Sequence, residues 1–529
     1  MRNQVTIVYI ILASFFTLST TAKSQGILDH NNVSTHISPY GTYFNNFMGG
    51  IKGYEVPKGI GFSSIFGVQS VFGAKDINDS IYVSMGGYFN NPSDIFQGPI
   101  SGAYNDSTYI NRWNNKVWKI CKGDIDQFQL WWQCTNGIIT SGCDTINAPS
   151  TEALQTINDW PAHDDLTAGE SYSLAPFYDF NSDGFYNPDD GDYPLIKGCC
   201  ATYMIQNDAA GSHEASMTND SMGIEVHTLI YQYNTADQIN DATFVEITVH
   251  NRSSVNYPEF VMGLNVDVDL GNYTDDQVGC DSTKNVMYFY NSDINDENFY
   301  GIDPPALGVI SLEQPMGAFQ IISSVNGIGS TREQKYWNMF TGKNIDGSPI
   351  VTPSGAITAF QFSGDPTVPT DWTASGIGLS PGDRRGLIMT PIFPLASSQT
   401  TTNTYAFVYE RSGNNLENAS ALINRVPFYM NAFQTDLTTQ CQDSFLGISE
   451  KLDVLTSFKI FPNPSSDHIT ILEIPLSLIG SNATITDVNG KQILDFVIAQ
   501  QKQQIDCSAL KKGVYFLRIG EENQKIMVE

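Results

Sequence analysis

Residues 224–231, Ile-Glu-Val-His-Thr-Leu-Ile-Tyr, and residues 241–250, Asp-Ala-Thr-Phe-Val-Glu-Ile-Thr-Val-His, decide how this chain is built. In the first, Ile224, Val226, Thr228 and Ile230 fall on one side and Glu225, His227, Leu229 and Tyr231 on the other; the second repeats the pattern. A period of two over such a length signals a strand, because successive side chains of a pleated backbone point to opposite faces. Paired side by side, the two would bring Glu225, His227, Glu246 and His250 to one sheet face. That quartet could hold a transition metal or supply an acid and a base. The plainer reading is polar side chains on a wet sheet face.

Working outward, residues 26–109 are rich in Gly, Asn, Tyr and Phe, with short runs such as Ser80-Ile81-Tyr82-Val83-Ser84-Met85, and residues 310–409 repeat the style; both read as strands joined by long loops. Helices are expected at three places. One starts at Gly123-Asp124 and runs through Gln127, Leu130, Trp131 and Trp132; a second is capped by Ser150 and stops at Trp160-Pro161; a third covers 414–437 with a kink at Pro427. The fold class is therefore mainly β: a multi-strand, sandwich-like body over 26–437 with a few short helices. A linker over 438–457 and a small immunoglobulin-like β-sandwich over 458–529 follow. Gly378-Leu379-Ser380-Pro381-Gly382 has the spacing of a nucleophile elbow, but Pro381 has no N–H for an oxyanion hole, so it reads as a turn.

The net charge is −29, and both ends are close to neutral, so the body carries it. Such a surface repels nucleic acid and anionic lipid. Arg2, the apolar run 5–18 and the small residues up to Gly26 give residues 1–25 the pattern of a secretory leader. Eight cysteines in an exported chain predict one or two disulfides, Cys134 to Cys143 being the local candidate. Five of the seven tryptophans lie between Trp113 and Trp160, as a platform for sugar or as plain core.

Two acidic stretches point to calcium. From Asp179 to Asp190, oxygen donors fall at positions 1, 3, 5, 7, 9 and 12: Asp179, Asn181, Asp183, the carbonyl of Phe185, Asn187 and Asp190, with Gly184 for the sharp turn. Pro176, Pro188 and Pro194 forbid the flanking helices of an EF-hand, and the stretch resembles the isolated calcium loops of dockerins and thrombospondin-type repeats. In the second, Asp267, Asp269, Asp275 and Asp276 would repel without basic partners, and a divalent ion would relieve them.

The last 72 residues carry the clearest resemblance. Pro462-Asn463-Pro464, Asp487-Val488-Asn489-Gly490-Lys491, the strand from Gly513 through Tyr515 to Ile519, and Lys525-Ile526-Met527-Val528 stand where the type A C-terminal sorting domain of Bacteroidetes type IX secretion cargo has its motifs. The resemblance implies recognition by the type IX machinery, removal by its sortase, transfer to surface lipopolysaccharide, and a secreted or outer-surface location. Its motif residues would then be recognition residues. The body resembles uncharacterised secreted β-rich Bacteroidetes proteins through Val56-Pro57-Lys58-Gly59, Gly191-Asp192-Tyr193-Pro194, the run 267–281 and the run 381–387. That likeness brings no activity and no catalytic residue. The expectation is a calcium-stabilised adhesion or binding protein with a glycan or protein ligand; the alternative is an exported hydrolase acting on polysaccharide or protein.

Overall fold

Ile224–Gln232 and Thr243–Asn251 are neighbouring antiparallel strands in the computed structural model, in the register Glu225↔His250, His227↔Thr248 and Leu229↔Glu246. The structure describes residues 26–45, 53–87, 93–218, 220–322, 331–435, 437, 441, 459–461, 463–472, 479–488, 491–500, 502–508, 510–519 and 522–528. The expected leader, nearly all of the 438–457 linker, Pro462 and Gly490 lie outside them.

The two strands sit inside a nine-stranded sheet. Its order is Asp276–Asp281, Val286–Asn291, Ala306–Ser311, Thr400–Glu410, Thr243–Asn251, Ile224–Gln232 and Cys200–Asn207, with Phe96–Gln97 and Trp118–Cys121 both on the last of these. A seven-stranded sheet is centred on Tyr257–Val268, between Arg384–Met389 and Gly67–Lys75. The two sheets pack face to face: Val68, Phe72, Met262, Leu264, Val266 and Ile388 from one meet Val226, Ile230, Val245, Ile247, Phe289, Val309 and Phe407 from the other. This is a face-to-face sandwich with one apolar layer between its sheets.

Both outer faces are covered as well. Tyr203, Leu229, Tyr231, Phe244, Tyr288 and Val408 on the far side of the nine-stranded sheet pack against α1 (Ser107–Trp113), α2 (Lys122–Thr135), α3 (Thr151–Asn158) and α5 (Asn415–Gln434). Gly308 makes room for α5, since a Cβ there would lie 2.5 Å from Leu422 Cδ2. On the other side, Trp337 and Phe340 of α4 (Arg332–Phe340) lie on Val71, Val83, Val261 and Leu387. Each buried Leu or Phe is worth about 1.5–3 kcal/mol, which is why short helices with modest propensity persist here.

Two expectations need correcting. The face that carries Glu225 and His227 is not wet: both side chains are buried under the helical layer. And α1 and α4 form in segments read as strand and loop, started by Asp106, which accepts from Thr108 N, and by Thr331, which accepts from Gln334 N. The three expected helices do form. Ser150 caps α3 as its side chain predicts, and α5 runs through Pro427 behind an Asn414–Glu417 capping box.

Three disulfides tie the body, one more than expected: Cys134–Cys143, Cys121–Cys200 and Cys199–Cys441; Cys280 and Cys507 are free and buried.

The chain divides into two compact units, Met1–Asp443 and Ser444–Glu529. The second is a small sandwich of a three-stranded sheet (Lys459–Phe461, His468–Leu472, Gln503–Asp506) and a four-stranded one (Gln492–Val497, Asn482–Asp487, Gly513–Ile519, Glu522–Val528). Its core is Ile469, Ile471, Ala483, Ile485, Ile505, Leu517, Ile519 and Ile526, so alternation along Gly513–Ile519 is realised as Tyr515, Leu517 and Ile519 inside, Phe516 and Arg518 outside. Among the described residues no helix is long and apolar enough to cross a membrane.

Candidate functional site

The 179–190 loop is held between two short paired strands, with Tyr178 opposite Tyr193 and Phe177 opposite Pro194. No helix flanks it, as the prolines require. Its carboxylates turn inward onto the loop's own backbone. Asp179 accepts from Asp183 N (3.2 Å) and Gly184 N (2.7 Å), Asn181 Oδ1 from Asp183 N (3.0 Å), and Asp183 Oδ1 from Phe185 N (2.8 Å). Asn187 Nδ2 donates to Asp190 Oδ2 (2.6 Å). Gly184 at φ 81° and Ser182 at φ 61° supply the left-handed turns. Asp192, fully buried, braces both ends by accepting from Phe180 N and Asn187 N, each at 2.8 Å.

Side chains from elsewhere frame this loop. Trp132 of α2 donates its indole N–H to Asp189 O (2.9 Å) and packs edge-on against Phe180 at 4.8 Å; Gly191 admits the ring, as a Cβ would meet it at 2.8 Å. His163 donates through Nδ1 to Tyr172 O (2.8 Å) and accepts at Nε2 from Tyr186 N (3.0 Å), which fixes its tautomer. Phe180 and Phe185 are left exposed on the loop, Phe185 to 61 %, with Tyr178 exposed on the strand that enters it. Partly exposed aromatic rings on an acidic loop are the unusual feature of this surface.

The second acidic run lies where the chain leaves one sheet for the other. Tyr257–Val268 belongs to the seven-stranded sheet and Asp276–Asp281 to the nine-stranded one. Basic partners exist, contrary to the sequence reading: Arg385 Nε lies 3.2 Å from Asp267 Oδ2, and Arg385 Nη2 lies 3.1 Å from Asp383. Asp267 also points away, since Val266 and Val268 on either side face the inter-sheet core. Asp269, Asp275 and Asp276 stay together, joined by Asp296. Burial, then the charge of Asp383, raise Asp269 to about 6. Burial and the neighbouring acids raise Asp275 to about 6, against a hydrogen bond from Asn291. Burial, with Asp275, Asp269 and Asp296 beside it, pushes Asp276 well above the usual carboxylate range, although Leu270 N donates to it. Asp296 and Asn291 were not signalled by the sequence, because ladder register and not sequence proximity delivers them.

The quartet loses Glu246, while Glu225, His227 and His250 stay together. Glu246 pairs with Lys197, while Glu225 accepts from His227 Nε2 (3.0 Å), Arg252 Nη2 (2.7 Å) and Ile100 N (2.9 Å). Tyr203 OH meets His227 Nδ1 at 2.8 Å, and the His250 ring lies 4.5 Å from that of His227. Burial opposes ionisation of Glu225, but His227 and Arg252 hold it down to about 2; burial drives His250 down to about 3. This is a buried structural network that clamps the 98–100 segment to the sheet. Trp113, Trp118 and Trp160 are likewise core, not platform. Ser380 sits in a loop that leads into the strand Arg384–Met389, as the rejected elbow requires. Among the described residues, one group of three His, Cys, Asp or Glu donors falls within 4.8 Å, namely His30, Cys121 and Cys200, whose two sulfurs are bonded to each other.

In the terminal unit the motif residues do structural work. Asn463 Nδ2 donates to Lys525 O (2.7 Å) and its Oδ1 accepts from Met527 N (2.8 Å), tying the start of the unit to its last strand. Asp487 Oδ1 accepts from Lys491 N (3.0 Å) across the hairpin, and Tyr515 OH donates to Lys511 O (2.8 Å).

Comparison with known proteins bears on this unit. Residues 459–529 match the family model for the secretion system C-terminal sorting domain. No curated protein matches the chain. A solved structure titled a polysaccharide lyase aligns with 57 % of this chain and 34 % of its own length at 6 % identity and a TM-score of 0.18, a likeness too slight to bear on fold or function. The chain thus spans about a third of the length of that structure. With a sorting tail over 459–529, the chain is cargo of the type IX secretion system, exported to the outer surface or the medium.

Proposed function

We propose that the exported body is a calcium-stabilised binding protein that engages a glycan or protein ligand at the cell surface through the 179–190 loop. Calcium takes six to eight hard oxygens, and Asp179, Asn181, Asp183, the Phe185 carbonyl, Asn187 and Asp190 offer that number at the spacing one ion needs. The observation that carries the reading is the exposure of Phe180 and Phe185 on that same loop, with Tyr178 on the strand that enters it. A bound ion would order the loop and hold these rings out as a rigid aromatic contact, the kind of group that dominates binding surfaces. After export, we propose, the sortase removes the tail and the body is attached to surface lipopolysaccharide, as the sorting domain's resemblance implies.

The test uses the whole chain, with calcium and with chelator. Calcium should raise the melting temperature of the wild type, and Asp179→Ala with Asp183→Ala should abolish the part of the rise owed to this loop. On a glycan array and against surface extracts, Phe185→Ala should lose binding while keeping the calcium response. Binding that survives both chelation and Phe185→Ala would refute the assignment.

A further inference from the structure

Asp276 and Asn291 face each other across the ladder between Asp276–Asp281 and Val286–Asn291. Both point into the layer between the two sheets, because Val278, Cys280, Met287 and Phe289, at the same parity, belong to the inter-sheet core. Both are fully buried. Asp276 Oδ1 and Asn291 Oδ1 each lack a hydrogen-bond partner. The other halves of these side chains are fixed: Asp276 Oδ2 accepts from Leu270 N (3.2 Å), and Asn291 Nδ2 donates to Asp275 Oδ1 (2.6 Å). Two buried acceptors without a donor are therefore left on paired positions of one ladder, where an unpaired oxygen costs about 1–3 kcal/mol.

A proton, a donating water or a cation can sit between two acceptors. The surroundings favour the cation. Asp269, Asp275 and Asp296 all raise or share the field at Asp276. Asp296 is held in place by Asn272 N (2.9 Å) and Tyr300 N (2.8 Å), and it approaches so closely that a Cβ on Gly271, at φ 77°, would lie 1.9 Å from its Oδ2. Of the nearby guanidinium groups, Arg385 pairs with Asp267 and Asp383, while Arg384 donates to Ser380 O and adds one positive charge to the field at Asp276, against the four carboxylates Asp269, Asp275, Asp276 and Asp296. No three of these carboxylates fall within 4.8 Å of one another, so one ion would take Asp276 and Asn291 directly and complete its shell with backbone carbonyls and water.

We propose that a divalent cation, calcium by the all-oxygen character of its donors, seats between Asp276 Oδ1 and Asn291 Oδ1 and staples the crossover between the two sheets. This site is separate from the 179–190 loop and does not depend on it. Calcium stoichiometry is measured by equilibrium dialysis on the metal-stripped whole chain. Asp276→Asn should bind one ion fewer than the wild type, and Asp179→Ala with Asp183→Ala should still bind the ion at Asp276. Asn291→Asp adds a carboxylate at the seat and should tighten calcium there about tenfold while lowering the melting temperature of the metal-free protein. If Asp276→Asn binds as many ions as the wild type, or Asn291→Asp leaves affinity unchanged, the gap holds a proton or a water and the inference fails. Loss of every ion in the Asp179→Ala, Asp183→Ala chain would overturn this site and leave the loop standing; loss in Asp276→Asn alone would do the reverse.

Discussion

Asn463→Ala separates two reasons why a sorting motif carries an asparagine. In the structure Asn463 makes two bonds to the last strand, to Lys525 O at 2.7 Å and from Met527 N at 2.8 Å. A side-chain hydrogen bond contributes about 0.5–1.5 kcal/mol net, and because this residue is exposed, water can replace part of each bond; the expected cost is about 1–2 kcal/mol. For a unit of this size that lowers the melting temperature by about 5–10 °C. The assay is calorimetry of the whole chain, following the transition of the terminal unit, run beside measurement of surface display in the native host. Display should fall in step with the unit's stability, and a second-site stabiliser of the unit, such as a repacked Ala483, should restore it. Loss of display with an unshifted transition would refute the structural role and make Asn463 a residue read directly by the secretion machinery.

Two buried acids make opposite predictions with pH. Glu225 has a depressed folded value, about 2, so its stabilisation is present above the unfolded value near 4.3 and is lost as pH falls toward 2; Glu225→Gln should cost about 1–3 kcal/mol at pH 7 and flatten the acid limb of a urea-melt series. Asp164 is the reverse: burial, then its hydrogen bond with Glu170, raise it to about 8 against the opposing charge of Arg112, 2.7 Å away. Its contribution is full below the unfolded value and drains away as pH rises to 8, so Asp164→Asn should gain about 1–3 kcal/mol relative to wild type between pH 5 and pH 8; a flat difference would show that Asp164 is ionised throughout.

The strands that alternate were legible and the others were not. Ile224–Gln232 and Gly513–Ile519 announce themselves by period two, whereas Val286–Asn291, buried along its whole length, shows no polar face to count against. The helix Arg332–Phe340 escaped notice because its packed side includes Lys335 and Asn338, which spoil the apolar stripe. The 179–190 loop was readable since its donors are local. Around Asp276 the decisive partners come from Asn291 and Asp296, and the Arg385 that takes Asp267 aside stands 118 residues downstream. Composition says that acids crowd there; only register says which of them share a space.

The bond between Cys199 and Cys441 closes a span of 242 residues and joins the chain just past α5 to the start of the Cys200–Asn207 strand. It determines how the body would carry a load. A pull applied from the C-terminal side enters at Cys441 and crosses directly into the nine-stranded sheet, so α5 lies in a closed covalent circuit and bears no tension. Cys200, bonded to Cys121, passes the strain on to the adjacent edge strand. Under shear, rupture would have to begin by separating strands across the sheet and not by peeling a helix from its surface, and reduction of this one bond would convert a stiff anchor into a compliant one.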